Sequence, residues 1–258
     1  MHLGRTGPAL ALWIALLLGC VVGAAGPARA ANVAISPVNI SLTRDQHSAL
    51  LNVTNDDAHP VRFSLSTYAW AQSDAGAMEL SPTSDIIFFP AQLTLAPGEA
   101  RNVRVGTQLV PGAAERNYRI FLEELPEPAT ANPSQVLQIH VLSRISVPIF
   151  LAPNQVDVQT DIGSIDAHKS SIVFQLHNTG TVHVLPGPVT LQARDAADRP
   201  VFSRSVDVWY VLAGGTRIVK ISVPPAACAH VRTITVTAKI GGALRTRSQQ
   251  TPSGVCSS

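Results

Sequence analysis

The chain has 258 residues, 46% of them apolar and 14% charged, with a formal net charge of +2. Arg5 and Arg29 both fall in the first thirty residues, where no acid stands, so the remainder is formally neutral. That balance leaves no basic excess to attract nucleic acid or an anionic membrane surface, and any charge-based function must be local.

In chain order, residues 1–30 read as a secretory signal. A single Arg precedes an apolar run that reaches Ala25, and Ala28-Arg29-Ala30 offers a small-residue cleavage site. A retained membrane anchor is the first alternative, but the run is short for a span of roughly 20 residues. Lipid attachment at Cys20 is the second, and Leu18 fits it poorly. No other apolar run could insert into a membrane. Export makes Cys228 and Cys256, the cysteines outside the leader, a structural disulfide. Such a bridge is worth about 3–4 kcal/mol in the chain-entropy picture.

After the leader come short runs rich in β-branched residues: "VNISL", "ALLNVTN", "VRFSLSTYAW", "QLTLAPGEARNVRVG", "NYRIFLEEL" and "VLQIHVLSRISVPIF". Past Pro153 the pattern restarts with "VDVQTDI", "SSIVFQLHNTG", "PVTLQARD", "VDVWYVLAGGTRIVKISV" and "RTITVTAKIGG". Turn residues punctuate these runs at the short intervals typical of antiparallel sandwiches. The expectation is an all-β chain of two Ig-like β-sandwich domains in tandem at an angle. The first covers 31–152 and the second 153–258, with the hinge near Ala152-Pro153-Asn154.

Catalysis has no support. Nucleophile elbows, HExxH, dinucleotide-binding and phosphate-loop signatures are all missing. His177 and His183 flank "NTGTV" and read as turn or sheet residues, not metal ligands. Glu123 and Glu124 are adjacent, so strand alternation sends them to opposite faces. Neither a metal nor a cofactor is expected.

The run from Val136 to Phe150 is unusual. Leu137, Ile139 and Val141 share one face, and the whole run exceeds the usual 5–6 residues of a strand by more than twofold, to roughly 13–15. A long apolar edge invites aggregation unless something pairs with it. Its functional use is strand addition to a partner, with backbone bonds giving affinity and alternate side chains giving specificity.

Taken together, "ISPVNISL", "LNVTNDDAHPVRFSLSTYAW", "FFPAQLTLAPGEARNVRVG", "NYRIFLEELP", "LQIHVLSRISVPIFLAP", "LHNTGTVHV" and "YVLAGGTRIVKI" resemble the periplasmic pilus-assembly chaperones of the chaperone/usher pathway. "YRIFLEELP" and "RISVPIF" are most similar to the archaic, spore-coat-U-type branch. The resemblance implies that strand 136–147 is lent to the open groove of a pilus subunit, with Leu137, Ile139 and Val141 as the donated side chains. It also implies delivery to an outer-membrane usher, no nucleotide, and, as in some relatives, self-association of the free chaperone. The family anchors the subunit's terminal carboxylate with basic residues in the interdomain cleft. Asn39 and Ser146 stand where its better-studied branch has the cations, so the resemblance shifts the anchor to Arg119, assisted by Arg144. It further matches Arg104 and Glu115 to an interdomain salt-bridge network, whose expected acid near "AKIGG" is replaced by Lys239 or a neighbour. The rival readings are a secreted adhesive or glycan-binding protein, which the 5% aromatic content disfavours, and a hydrolase using His177 or His183.

Overall fold

The computed structural model describes residues 32–126, 141–168 and 170–252. The first ten strands are β1 (Val33–Ser36), β2 (Ile40–Leu42), β3 (Ser48–Asn55), β4 (Val61–Gln72), β5 (Met78–Pro82), β6 (Ile87–Phe89), β7 (Gln92–Leu95), β8 (Ala100–Gly106), β9 (Arg116–Glu124) and β10 (Arg144–Leu151). They form two sheets, ordered β1-β3-β8-β6 and β2-β10-β9-β4-β5, with β7 also paired to β4. Between the sheets lies a core that includes Leu51, Phe63, Val103, Ile120, Leu122 and Ile149.

The second half holds β11 (Thr160–His168), β12 (Ser171–Asn178), β13 (Pro188–Arg194), β14 (Pro200–Asp207), β15 (Thr216–Ser222), β16 (Thr233–Ile240) and β17 (Ala243–Gln250). The short helix α1 (Pro225–Cys228) precedes β16. The sheets here run β11-β12-β15 and β14-β13-β16-β17, closing on a separate core that includes Ile165, Phe174, Leu191 and Val236. This is the tandem pair of Ig-like sandwiches read from the sequence. The strands part between Leu151 and Thr160, a stretch that contains the expected hinge.

Alternation builds both halves. In β3 the odd residues Leu51, Val53 and Asn55 are buried, and in β12 the even residues Ile172, Phe174, Leu176 and Asn178 are buried. Each buried row ends in an asparagine that closes a turn. Asn55 donates to the carbonyls of His59 and Leu95 and accepts from the Asp57 N–H. Asn178 does the same toward Val182, Val211 and Leu212 and accepts from Gly180. Both satisfy backbone groups that a buried turn would otherwise leave unpaired.

Of the long run from Val136, the described residues begin at Val141. Pairing starts at Arg144, and Val141 to Ser143 precede it without strand structure. Leu137 and Ile139 lie outside the described residues, whereas Val141 is exposed. One edge of β10 pairs with β9 along its whole length, from Arg144↔Glu123 to Leu151↔Arg116. Among the described residues the other edge pairs with β2 only through Ile149, Phe150 and Leu151. Pro148, with no N–H to give, stands where that second pairing stops, as proline does at strand edges.

Candidate functional site

The register Tyr68↔Arg119↔Pro148 places β4, β9 and β10 side by side. Their inward residues fill the first core. Their outward residues, at Trp70, Arg119, Ser146 and Phe150, face the second half of the chain. There Trp70, Phe150 and Leu212 form a small buried cluster joined by Tyr210. The chain thus buries an aromatic layer between its two sandwiches, with Arg119 inside it.

Arg119 is only 2% exposed. Its Nη1 donates to Ser146 Oγ at 2.6 Å. Its Cζ lies 4.2 Å from the Trp70 ring centroid and 4.6 Å from that of Trp209. The indoles, 5.8 Å apart, form a corner around the guanidinium rather than a sandwich. Nε and Nη2 are buried and have no hydrogen-bond partner among the described residues. Burial pulls the guanidinium below its ordinary pKa, opposed by the neighbouring Tyr210. Arginine remains charged under such a shift. Nε and Nη2 make up one edge of the planar fork, whose spacing matches the two oxygens of a carboxylate. Other buried polar atoms lacking partners share this face: Ser66 Oγ, Trp70 Nε1, Gln72 Oε1 and Asn117 Oδ1. Native interiors leave few such atoms, and each calls for an explanation.

The acids that could have neutralised Arg119 are engaged elsewhere. Glu123 pairs with Arg144 at 2.6 Å. Glu115 Oε1 meets His183 Nδ1 at 2.8 Å and also accepts the His183 backbone N–H. The His183 ring stacks on Phe150 with centroids 3.7 Å apart. Further bonds cross the same junction: Glu115 N–H to the Thr181 carbonyl, Gln72 Nε2 to the Tyr210 carbonyl, and Ile218 N–H to the Asp74 carbonyl. Arg217 also donates to the Ala75 carbonyl. Gly76, at φ +79°, leaves the space its guanidinium occupies.

Arg144 shares the outward face of Arg119 but stands about 13 Å away along the strand. Its Cζ lies over Phe121 at 4.2 Å. Arg104 is on β8, opposite Leu50 and Phe89, on the sheet away from Arg119. Among the described residues it makes no ion pair, so it and Glu115 do not share one. The reason is register: Glu115 precedes β9, where its carboxylate turns toward His183. Lys239 is exposed on β16. Cys228 is buried and disulfide-bonded, while Cys256 lies outside the described residues. His177 Nδ1 meets Thr216 Oγ1 at 3.0 Å within the second sandwich.

Sequence reasoning missed the places of His183, Trp70 and Trp209 in this layer. The available signal was compositional: of three tryptophans, Trp13 falls in the first thirty residues, so the other two are all that residues 31–258 contain. Both converge on Arg119.

A family described as "Pili and flagellar-assembly chaperone, PapD N-terminal domain" matches residues 32–157. No curated protein sequence matches the chain. Among solved structures, the chain resembles that of the CsuC–CsuE chaperone–tip adhesion subunit pre-assembly complex from archaic chaperone-usher Csu pili of Acinetobacter baumannii. That match has 16% identity and a TM-score of 0.58, covering 84% of this chain and 98% of the other. The Salmonella enterica SafA pilin–SafB chaperone complex matches at 12% identity and TM-score 0.55, covering 86% and 99%. The E. coli chaperone DraB matches at 12% and 0.51, covering 87% and 98%. At such identities the structural likeness speaks to the fold.

Proposed function

We propose that this chain is a pilus-assembly chaperone, as the family match over residues 32–157 supports, and that it works in the periplasm, holding fimbrial subunits by strand lending and passing them to an outer-membrane usher. The observation that carries the reading is the unfilled edge of Arg119, a buried cation with two N–H groups aimed at no acceptor. A subunit's terminal carboxylate is the ligand that edge fits. Binding it would set the register of the lent strand, because a one-residue slip turns every donated side chain to the wrong face.

The lent segment is 136–147, with Leu137, Ile139 and Val141 as the side chains given to the subunit groove. They have the same parity as Val147, Ile149 and Leu151, which fill this protein's own first core. A strand continuing through both would thus carry one apolar face from chaperone core to subunit groove. Three buried aliphatics contribute on the order of 5–9 kcal/mol before ordering costs. Among the described residues no strand pairs with the second edge of β10 before Ile149, which supports the same reading. We assign the chain to the archaic branch, which agrees with the origin of the Csu complex. The leader 1–30 exports the protein, and Cys228–Cys256 is its structural disulfide. No cofactor is used.

The test is co-expression of the tagged chain with the fimbrial subunit that co-purifies from the periplasm. Ile139→Asp and Arg119→Glu should each abolish the soluble 1:1 complex. Complexes of normal yield with both variants would refute the strand-lending reading.

A further inference from the structure

Arg119 offers a carboxylate two donors and one charge, and the described residues supply no second free cation beside it. Ser146 Oγ accepts from Nη1 of Arg119 and carries no charge, and Arg144 is paired with Glu123. A different kind of donor is present. Trp70 is 4% exposed, its ring lies under the guanidinium, and its Nε1–H has no acceptor. An indole nitrogen can only donate. Buried tryptophans usually find a partner for that hydrogen. Unfilled donors of Arg119 and of Trp70 therefore lie on one face, buried in the same aromatic layer.

Resting on the carboxylate-anchor reading above, we propose that the Trp70 indole N–H is the second half of the anchor, a neutral donor in the place of a second cation. The ligand is a peptide chain end: Nε and Nη2 of Arg119 take its carboxylate, and Trp70 donates a further bond to the same group. Trp209, on the other sandwich, forms the second wall of the corner around the guanidinium, so both domains contribute to the shielding of the charge. Such a site discriminates a free acid from an amide, since an amide presents an N–H pair to donors that have nothing to accept with.

The two indoles make the test direct. The exported protein, labelled with 15N, shows one indole N–H signal for Trp70 and one for Trp209, assigned by Trp209→Phe. The probe is N-acetyl-alanyl-alanine as the free acid, with its C-terminal amide as control. The acid should move the Trp70 indole proton downfield and saturate, while the amide should not. Trp70→Phe, which keeps a ring against the guanidinium, should weaken acid binding about tenfold, the loss expected for one hydrogen bond to a charged group. If acid binding is lost in Arg119→Met but the Trp70 proton stays still on titration, the proposal is overturned and the Arg119 reading stands. It is overturned as well if Trp70→Phe weakens binding without any such proton shift, since the ring alone then matters. Absence of acid-selective binding in the wild type overturns both.

Discussion

Replacing Arg119 with methionine should make the free protein more stable. The native side chain makes one charge-assisted bond, to Ser146 at 2.6 Å, worth about 1.5–3 kcal/mol. Its contacts with Trp70 and Trp209 add about 0.5–2 kcal/mol each. Against these stand two buried N–H groups without acceptors, costing about 1–3 kcal/mol apiece and more on a cation. Desolvating the guanidinium costs several kcal/mol more. Methionine fills similar volume and recovers sulfur–aromatic contacts of about 0.3–1.5 kcal/mol with the same indoles. The balance favours Arg119→Met by about 1–3 kcal/mol, within the range found when buried charges give way to apolar residues. Urea unfolding followed by the fluorescence of Trp70 and Trp209 reads this directly. The midpoint should rise by about 0.5–1.5 M at unchanged slope. A midpoint that falls by the equivalent of about 1 kcal/mol or more, on the order of one good hydrogen bond, would mean the guanidinium is satisfied within the free chain. The idea of an anchor kept ready for a ligand would then fail.

Asn178→Ala should lower the stability of the second sandwich by about 3–4 kcal/mol, since it strips partners from buried carbonyls and from the Gly180 N–H; calorimetry showing a loss under about 1 kcal/mol would contradict this. Glu115→Ala removes both bonds to His183, so stability should drop by about 1–3 kcal/mol and solution scattering should show a wider spread of interdomain orientations. An unchanged scattering curve would count against that junction as the hinge clasp. Tyr118 is pushed up to about 12 by burial, helped by its bond to Asp85. Its folded value lies above the unfolded value of about 10, so the stabilising contribution is whole below about pH 10 and fades as pH climbs toward 12. The wild type should lose on the order of 2 kcal/mol across that window, over and above any loss in Tyr118→Phe. Parallel losses in the two proteins would refute the assignment.

Much of this fold is readable because strand alternation is a local property. "SALLNVTN" and "SIVFQLHN" announce buried rows at a spacing of two, each ending in a turn-forming asparagine, and both halves of the chain follow that rule. The family resemblance points to Arg119, but neither it nor the residues alone could show that Glu115 and Glu123 would be taken by His183 and Arg144. The Glu123–Arg144 pair depends on the register of β9 against β10. The Glu115–His183 pair joins positions 68 residues apart and forms only where the two sandwiches meet. His183 reads as a turn residue because its neighbours "NTGTV" form one; its stacking on Phe150 belongs to the other domain's surface. The resemblance implies that Arg104 is an interdomain residue, yet the outward phase of β8 leaves it opposite Leu50 and Phe89.

The most direct measurement is the yield of the periplasmic subunit complex formed by Arg119→Met, set beside the stability of the same variant. If the buried guanidinium is the anchor, that variant folds at least as well as the wild type and captures almost no subunit. Full capture by it would show that the guest chain is held somewhere else.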